Sequence, residues 1–184
     1  MSKLLKKFLQ YIVLPAALMI VSKVGGLYIA ISFFNLEFFI ETRPEQIYSL
    51  QIYFTNNTDA VLASSISNLT MFLTIALISI YFLIRYRLSL LAAYNPRILV
   101  KLNNFNLMPW ANGKNNTFLK VFIWLMFLWV VSITIIADVI SENSFAWIGM
   151  SAFVITTIST WVLIRTFEIE GEIIYPHNKT SNLY

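Results

Sequence analysis

Residues 121–136 of this chain read VFIWLMFLWVVSITII, and this stretch decides the fold. It carries no charge and is apolar around the whole circumference of a helix, as expected of a helix embedded in lipid. A membrane-spanning helix needs about 20 mostly apolar residues, so this span extends over about residues 118–140. Three further stretches qualify, at about residues 8–34, 60–84 and 145–164. We therefore predict one integral membrane domain over residues 1–184, an all-α four-helix bundle.

The composition of the whole chain agrees with this prediction. Its 184 residues are 58% hydrophobic and only 12% charged, whereas soluble domains carry about 25% charged residues. The chain has no cysteine, which excludes disulfides and thiolate chemistry. The single histidine, His177, lies in a polar tail. We expect no cofactor and no metal site, and we assign the net charge of +4 to a membrane surface rather than to nucleic acid.

Basic residues are unevenly distributed among the predicted loops. The N-terminus holds Lys3, Lys6 and Lys7. The central loop 85–117 and the start of the next span hold Arg85, Arg87, Arg97, Lys101, Lys114 and Lys120. Arg165 lies at the end of the last span, and Lys179 lies in the tail 167–184. The other two loops hold Arg43 and several acidic residues. Because cytoplasmic loops retain positive charge, we predict that both termini and the central loop face the cytoplasm across the cell membrane.

The N-terminal lysines followed by an apolar run also suit a secretory signal. Ala30 and Ser32 have the small-x-small spacing of a cleavage site. The apolar part of such a signal is usually about 7–15 residues, and this one is longer. We therefore expect the first span to be retained.

The loop between the first two spans permits two interpretations. Thr42 and Glu45 fit a helical capping box with Pro44 in the first turn. A short amphipathic helix would then place three apolar residues on one face: Ile47, Leu50 and Phe54. Alternation along the same segment also suits a strand, through Tyr48, Leu50 and Ile52. We predict the helix and keep the strand as the alternative.

The central loop mixes cations with apolar side chains. Such a segment can lie in the headgroup layer, with its cations paired to anionic lipid. The candidate lipid contacts are Arg85, Arg87, Arg97 and Lys101. The alternative is that these charges only orient the chain in the membrane.

A layer of polar residues is predicted inside the bilayer. With a rise of about 1.5 Å per residue, Lys23 lies roughly 22 Å into the first span. Asp138 lies roughly 27 Å along the third span from the same side, and Asn68 of the second span reaches a similar level. Because a lysine in hydrocarbon costs several kcal/mol, we expect Asp138 to neutralise Lys23.

Three interpretations of this layer remain open. The first is an ion pair or hydrogen-bond network that fixes how the helices align. In the second, Lys23 extends outward and Asp138 ends the third helix at the interface. The third is a functional site, either a proton or ion pathway or the counter-ion of a ligand.

Small residues predict where the helices meet. In lipid, close packing and interhelical hydrogen bonds drive helix association instead of apolar burial. The first span offers a stripe at a spacing of four: Ser22, Gly26 and Ala30. The fourth span offers another: Gly149, Ala152 and Thr156.

Function is inferred mainly from what the membrane spans lack. Intramembrane hydrolysis needs paired aspartates, a serine with a base, or a metal-binding motif, and the predicted spans contain none of these sets. We therefore expect no enzymatic activity. The leading hypothesis is an accessory or scaffold subunit that associates with other membrane proteins or with itself. The alternative is an oligomeric channel or transporter that uses Lys23, Asn68 and Asp138.

Overall fold

The computed structural model describes residues 3–42, 50–94, 96–105 and 117–174. The elements in chain order are α1 (Lys3–Phe34), β1 (Phe38–Thr42), β2 (Leu50–Phe54), α2 (Asn57–Tyr94), α3 (Pro96–Asn104), α4 (Thr117–Ile140) and α5 (Ala146–Ile174). Four of the helices, α1, α2, α4 and α5, are long and apolar enough to cross a bilayer. The prediction of four helices with the length and apolarity of membrane spans is confirmed.

Helix α2 is the centre of the bundle. It packs against α1, α4 and α5, and α4 also packs against α5. The core among α2, α4 and α5 contains fully buried side chains from all three, including Phe72, Leu128 and Ile148. Within the described residues, α1 contacts α2 and the edge of α4 but not α5. The four helices therefore form a three-helix core with α1 added on one side, rather than four helices around a common centre.

Helix α1 approaches α2 closely at one glycine. A Cβ atom at Gly26 would lie 2.8 Å from the Cα of Ser67 and 2.8 Å from the Cβ of Thr70. One turn later, Ala30 is fully buried. The adjacent Gly25 has no atom within 4 Å of the same position, so it faces away from the bundle. Two of the three residues in the predicted first stripe, Gly26 and Ala30, therefore lie at the α1–α2 contact. The hydroxyl of Ser22 instead donates to the Leu18 carbonyl of its own helix at 2.6 Å.

Helices α4 and α5 are joined by polar contacts as well as by small residues. The hydroxyls of Ser132 and Thr156 lie 2.6 Å apart, and the indole N–H of Trp129 donates to Thr160 at 3.0 Å. Ala152 is fully buried beside them. A Cβ at Gly149 would lie 3.0 Å from a methyl group of Val139. The second predicted stripe thus lies between α4 and α5.

The turn between α4 and α5 is closed by a Schellman motif. Glu142 has φ of 59°, the left-handed conformation that ends many helices. The amide of Asn143 donates to the carbonyl of Asp138 at 2.9 Å, and the amide of Glu142 donates to the carbonyl of Val139 at 3.0 Å. The carbonyls at the end of α4 are therefore satisfied inside the protein.

Aromatic contacts show which helix ends lie together. Tyr86 of α2, Phe118 of α4 and Phe167 of α5 form one ring cluster. At the same end, the ammonium of Lys120 lies 5.5 Å from the ring centroid of Tyr11 in α1. The start of α1 and the final turns of α5 therefore lie at the same end of the bundle. We call it the basic end, and the opposite end the hairpin end.

Helix α2 continues past its predicted boundaries. It begins at Asn57 and ends at Tyr94, so residues 85–94, predicted as loop, are helical. Its 38 residues span about 57 Å, more than the roughly 30 Å of hydrocarbon. Arginine and leucine are good helix formers, so the charges at Arg85 and Arg87 end the apolar span without ending the helix. Residues 167–174, predicted as tail, likewise belong to α5.

The predicted helix in the first loop is wrong where the structure describes it. Strand β1 pairs with β2 in antiparallel register, with Phe38 opposite Phe54 and Thr42 opposite Leu50. The alternative interpretation, a strand through Leu50 and Ile52, is correct, because residues 38–42 supply a partner strand of aromatic and branched side chains. Residues 43–49, which include Pro44, Glu45, Ile47 and Tyr48, lie outside the described part. This hairpin is an addition to the all-α prediction.

The close approach at Gly26 predicts a difference between two adjacent glycines. Gly26→Ala should lower the free energy of unfolding by about 1–3 kcal/mol, because the new methyl group overpacks the α1–α2 contact. Gly25→Ala should leave stability unchanged or raise it by up to about 1 kcal/mol through helix propensity. Equilibrium unfolding in mixed detergent micelles measures both variants. Equal effects of the two substitutions would contradict this packing.

Candidate functional site

The structure brings together the three polar residues that the depth estimate placed at one level. They are Lys23 of α1, Asn68 of α2 and Asp138 of α4. The ammonium Nζ of Lys23 lies 3.7 Å from Oδ2 of Asp138. The amide Nδ2 of Asn68 donates a hydrogen bond to the same Oδ2 at 2.8 Å. One carboxylate oxygen therefore holds side chains from two neighbouring helices.

The position of Asp138 near the end of α4 gives an electrostatic reason for these contacts. The C-terminal end of a helix carries partial negative charge, so a carboxylate there is unfavourable. The Asp138 side chain is compensated by a cation from α1 and a hydrogen-bond donor from α2. Removing either compensating group would leave the carboxylate with less support in a weakly polar environment.

Burial differs sharply among the three side chains. Asn68 is fully buried in the helix core. The side chains of Lys23 and Asp138 keep 43% and 28% of their surface exposed. The ion pair therefore lies on the surface of the bundle, along the seam between α1 and α4, rather than in a closed interior.

The amide oxygen of Asn68 is an unusual buried acceptor. Its Nδ2 is used by Asp138, but Oδ1 is buried and has no hydrogen-bond partner among the described residues. An unsatisfied buried polar atom costs about 1–3 kcal/mol. Because Asn68 is fully buried, Oδ1 is not open to the exposed seam where Lys23 meets Asp138.

The rise per residue also gives the axial position of Lys23 and Asp138 relative to the basic end. Lys120 and Asp138 lie on the same helix, and 18 residues correspond to about 27 Å. This length is close to the roughly 30 Å of hydrocarbon, so Asp138 lies near the hairpin-end boundary when Lys120 lies at the basic-end boundary. Lys23 lies twelve residues beyond Tyr11, or about 18 Å from that level. The 3.7 Å contact between Nζ of Lys23 and Oδ2 of Asp138 joins the two levels.

Further polar contacts lie beside this cluster, and those of Ser65 were missing from the sequence-based prediction. The hydroxyl of Ser65 accepts a hydrogen bond from the amide of Phe145 at 3.0 Å. It also lies 3.3 Å from the hydroxyl of Ser144. The hydroxyl of Ser67 donates to the carbonyl of Lys23 at 2.6 Å. The run Ser64, Ser65, Ser67 and Asn68 in one apolar span was the available signal.

The predicted lipid-contacting cations lie at the basic end but on two helices. Arg85 and Arg87 belong to α2, whereas Arg97 and Lys101 belong to α3. Arg87, Arg97 and Lys101 are exposed. Arg85 is partly buried, and its Nε has no hydrogen-bond partner among the described residues. Since residues two apart face different sides of a helix, Arg85 and Arg87 do not form one patch.

The described residues hold no group of three histidine, cysteine, aspartate or glutamate side chains that could bind a metal ion. The polar cluster consists of one carboxylate, one ammonium group and one carboxamide. Such a set can neutralise charge, align helices and hydrogen-bond a further polar group.

The shared carboxylate oxygen predicts energetic coupling between α1 and α4. Lys23→Met and Asp138→Asn should each destabilise the protein, and the double variant should be more stable than the sum of the two effects predicts. The expected coupling energy is about 0.5–3 kcal/mol, measured by equilibrium unfolding in mixed micelles. The control is the pair Arg165–Glu168, 2.8 Å apart and well exposed. A double-variant cycle there should give about 0.5 kcal/mol or less. Additive effects at Lys23 and Asp138 would contradict the coupling.

Comparison with protein-family models, with curated proteins and with solved structures finds no match to this chain.

Proposed function

We propose that this chain is a non-catalytic subunit that assembles with other membrane proteins through the side of the bundle formed by α1. The observation that carries the proposal is the exposed Lys23–Asp138 pair at the seam between α1 and α4. A lysine in contact with hydrocarbon costs several kcal/mol. A partner helix laid over this seam would shield the pair from lipid and add hydrogen-bonding groups.

Helix α1 is the least buried of the four spanning helices. Within its most apolar stretch, 11% of the residues are buried, compared with 44% for α2. Between Val13 and Phe33 its exposed apolar side chains include Val13, Leu14, Ile20, Val21, Val24, Tyr28, Ile29 and Phe33. Exposed apolar surface is normal in lipid, so this face alone does not require a protein partner. The presence of the half-exposed Lys23 beside this apolar face favours a protein partner.

The exposed face of α1 also permits close approach by another helix. Gly25 lies on this face, and a Cβ there would meet no atom within 4 Å. In lipid, helices associate where small residues allow their backbones to come together. A second glycine on the outer face of a helix that already uses Gly26 for α2 therefore supports contact with a further helix.

A second candidate function is an oligomeric channel or transporter built on the same residues. The unpartnered Oδ1 of Asn68 favours it, because a buried acceptor beside an ion pair can receive a proton donor or water. Flux through the purified protein in liposomes that is lost in Lys23→Met would support transport. Normal assembly without flux would contradict the transport function and agree with the assembly function.

We further propose that the basic end faces the cytoplasm, because cytoplasmic segments retain lysine and arginine. The chain contains no cysteine, so single cysteines can report sidedness without a background signal. A membrane-impermeant maleimide should label Asn143→Cys in intact cells and Asn104→Cys only after permeabilisation. Both positions are exposed in the structure. The reverse labelling pattern would contradict this orientation.

The assembly proposal predicts where a partner is found. A photo-crosslinking amino acid at Val24, exposed on α1, should give a discrete protein adduct in native membranes. The same amino acid at Met150, exposed on α5, should give lipid adducts only. Immunoblotting and mass spectrometry of the tagged protein identify the products. A partner-free monomer with identical products at both positions would contradict the proposal.

A further inference from the structure

A groove lies between α2 and α5 in the half of the bundle near the basic end. Its volume is about 620 Å³, within the range of about 300–1,000 Å³ typical of small-molecule sites. The walls are formed almost entirely by aliphatic side chains, including Ile80, Ile84 and Leu88 of α2 and Ile155, Ile158 and Val162 of α5. An apolar groove of this size on the side of a membrane-spanning bundle is open to an acyl chain.

One charged residue lines this groove. Arg87 is exposed, and none of the described acidic side chains forms an ion pair with it. It directly follows Tyr86, which belongs to the ring cluster with Phe118 and Phe167 at the basic end. Tyrosine and other amphipathic rings favour the headgroup level, so the guanidinium of Arg87 lies where lipid phosphates lie.

The groove has the polarity gradient of a phospholipid. Ile80 precedes Arg87 by seven residues, or about 10 Å along the helix, so the aliphatic walls extend from the headgroup level into the hydrocarbon. Helix α3 adds two exposed cations, Arg97 and Lys101, at the same end of the molecule. Their positive charge raises the local concentration of anionic lipid at the groove.

We propose that this groove binds one anionic phospholipid of the leaflet at the basic end. Its acyl chain lies between α2 and α5, and its phosphate accepts hydrogen bonds from the guanidinium of Arg87. Arginine suits this role because its planar group binds two phosphate oxygens at once. The proposal does not depend on the partner contacted by α1, since the groove lies between the other pair of helices.

The test uses the full-length protein in nanodiscs of phosphatidylcholine and phosphatidylglycerol in equal parts, followed by native mass spectrometry. We expect one retained phosphatidylglycerol per protein. Arg87→Gln should reduce the retained fraction about fivefold, the effect of one cation near the membrane surface. Arg87→Lys should restore part of it. Arg97→Gln, which removes an exposed cation outside the groove, should reduce the retained fraction much less than Arg87→Gln does.

A second variant tests the acyl chain without changing charge. Ser159 lines the groove, and Ser159→Phe should fill it and release the lipid while Arg87 stays intact. Added inorganic phosphate should not displace the lipid, because the acyl chain contributes to binding.

Three results would overturn the proposal. They are equal loss of lipid in Arg87→Gln and Arg97→Gln, equal retention of phosphatidylcholine, and displacement by phosphate alone. A change of oligomeric state in Ser159→Phe with the lipid retained would also overturn it and would identify the groove as a contact between copies of this chain.

Discussion

The contact among Lys23, Asn68 and Asp138 fixes the axial alignment of α1, α2 and α4. In lipid, apolar burial alone does not distinguish one axial position of a helix from the next, because lipid tails are as apolar as leucine. Close packing at Gly26 does distinguish these positions for α1 against α2. A charged pair does distinguish them, since sliding α1 by one turn, about 5.4 Å, would separate the ammonium group from the carboxylate. The hydrogen bond from Asn68 then ties this depth to α2, which contacts every other spanning helix.

Other polar contacts also align the helices along their length. At the hairpin end, Ser65 holds the turn between α4 and α5 through Phe145. In the middle, Ser132 meets Thr156 across α4 and α5. Toward the basic end, the hydroxyl of Ser79 donates to the carbonyl of Trp124 at 3.1 Å. Each contact satisfies polar groups inside the protein where no water is available, and together they align the three core helices along their length.

The sequence predicted the features that depend on lipid and helix geometry alone. Four spans followed from length and apolarity, and the meeting of Lys23 with Asp138 followed from a constant rise per residue. Rotation of α4 could not be predicted, because this helix is apolar on every side and its sequence does not say which side meets α2. The peripheral position of α1 was missed for the same reason. The spacing of four in Ser22, Gly26 and Ala30 did separate Gly26 from Gly25, but it did not show which helix this stripe would meet.

The errors lie where the chain leaves the hydrocarbon. Arg85 and Arg87 mark the end of the apolar span, but water permits a helix to continue, and α2 does so to Tyr94. The strand at Leu50–Phe54 depends on a partner at Phe38–Thr42, so a pattern read within one segment could not decide between helix and strand. Hydrogen bonding to another segment overrode the local helical pattern.

Stability alone does not explain why the bundle keeps an ion pair on its surface. Replacing such a pair by apolar side chains of similar volume is often neutral or stabilising, and here the exposed fraction of Lys23 meets lipid unless something covers it. An apolar pair would hold α1 against α4 without that cost. It would not fix the axial position of α1 relative to α4. The pair therefore adds little stability, but it defines the depth of α1 relative to α4 and leaves a polar contact on the outer surface. Both properties would serve the proposed assembly with other membrane proteins.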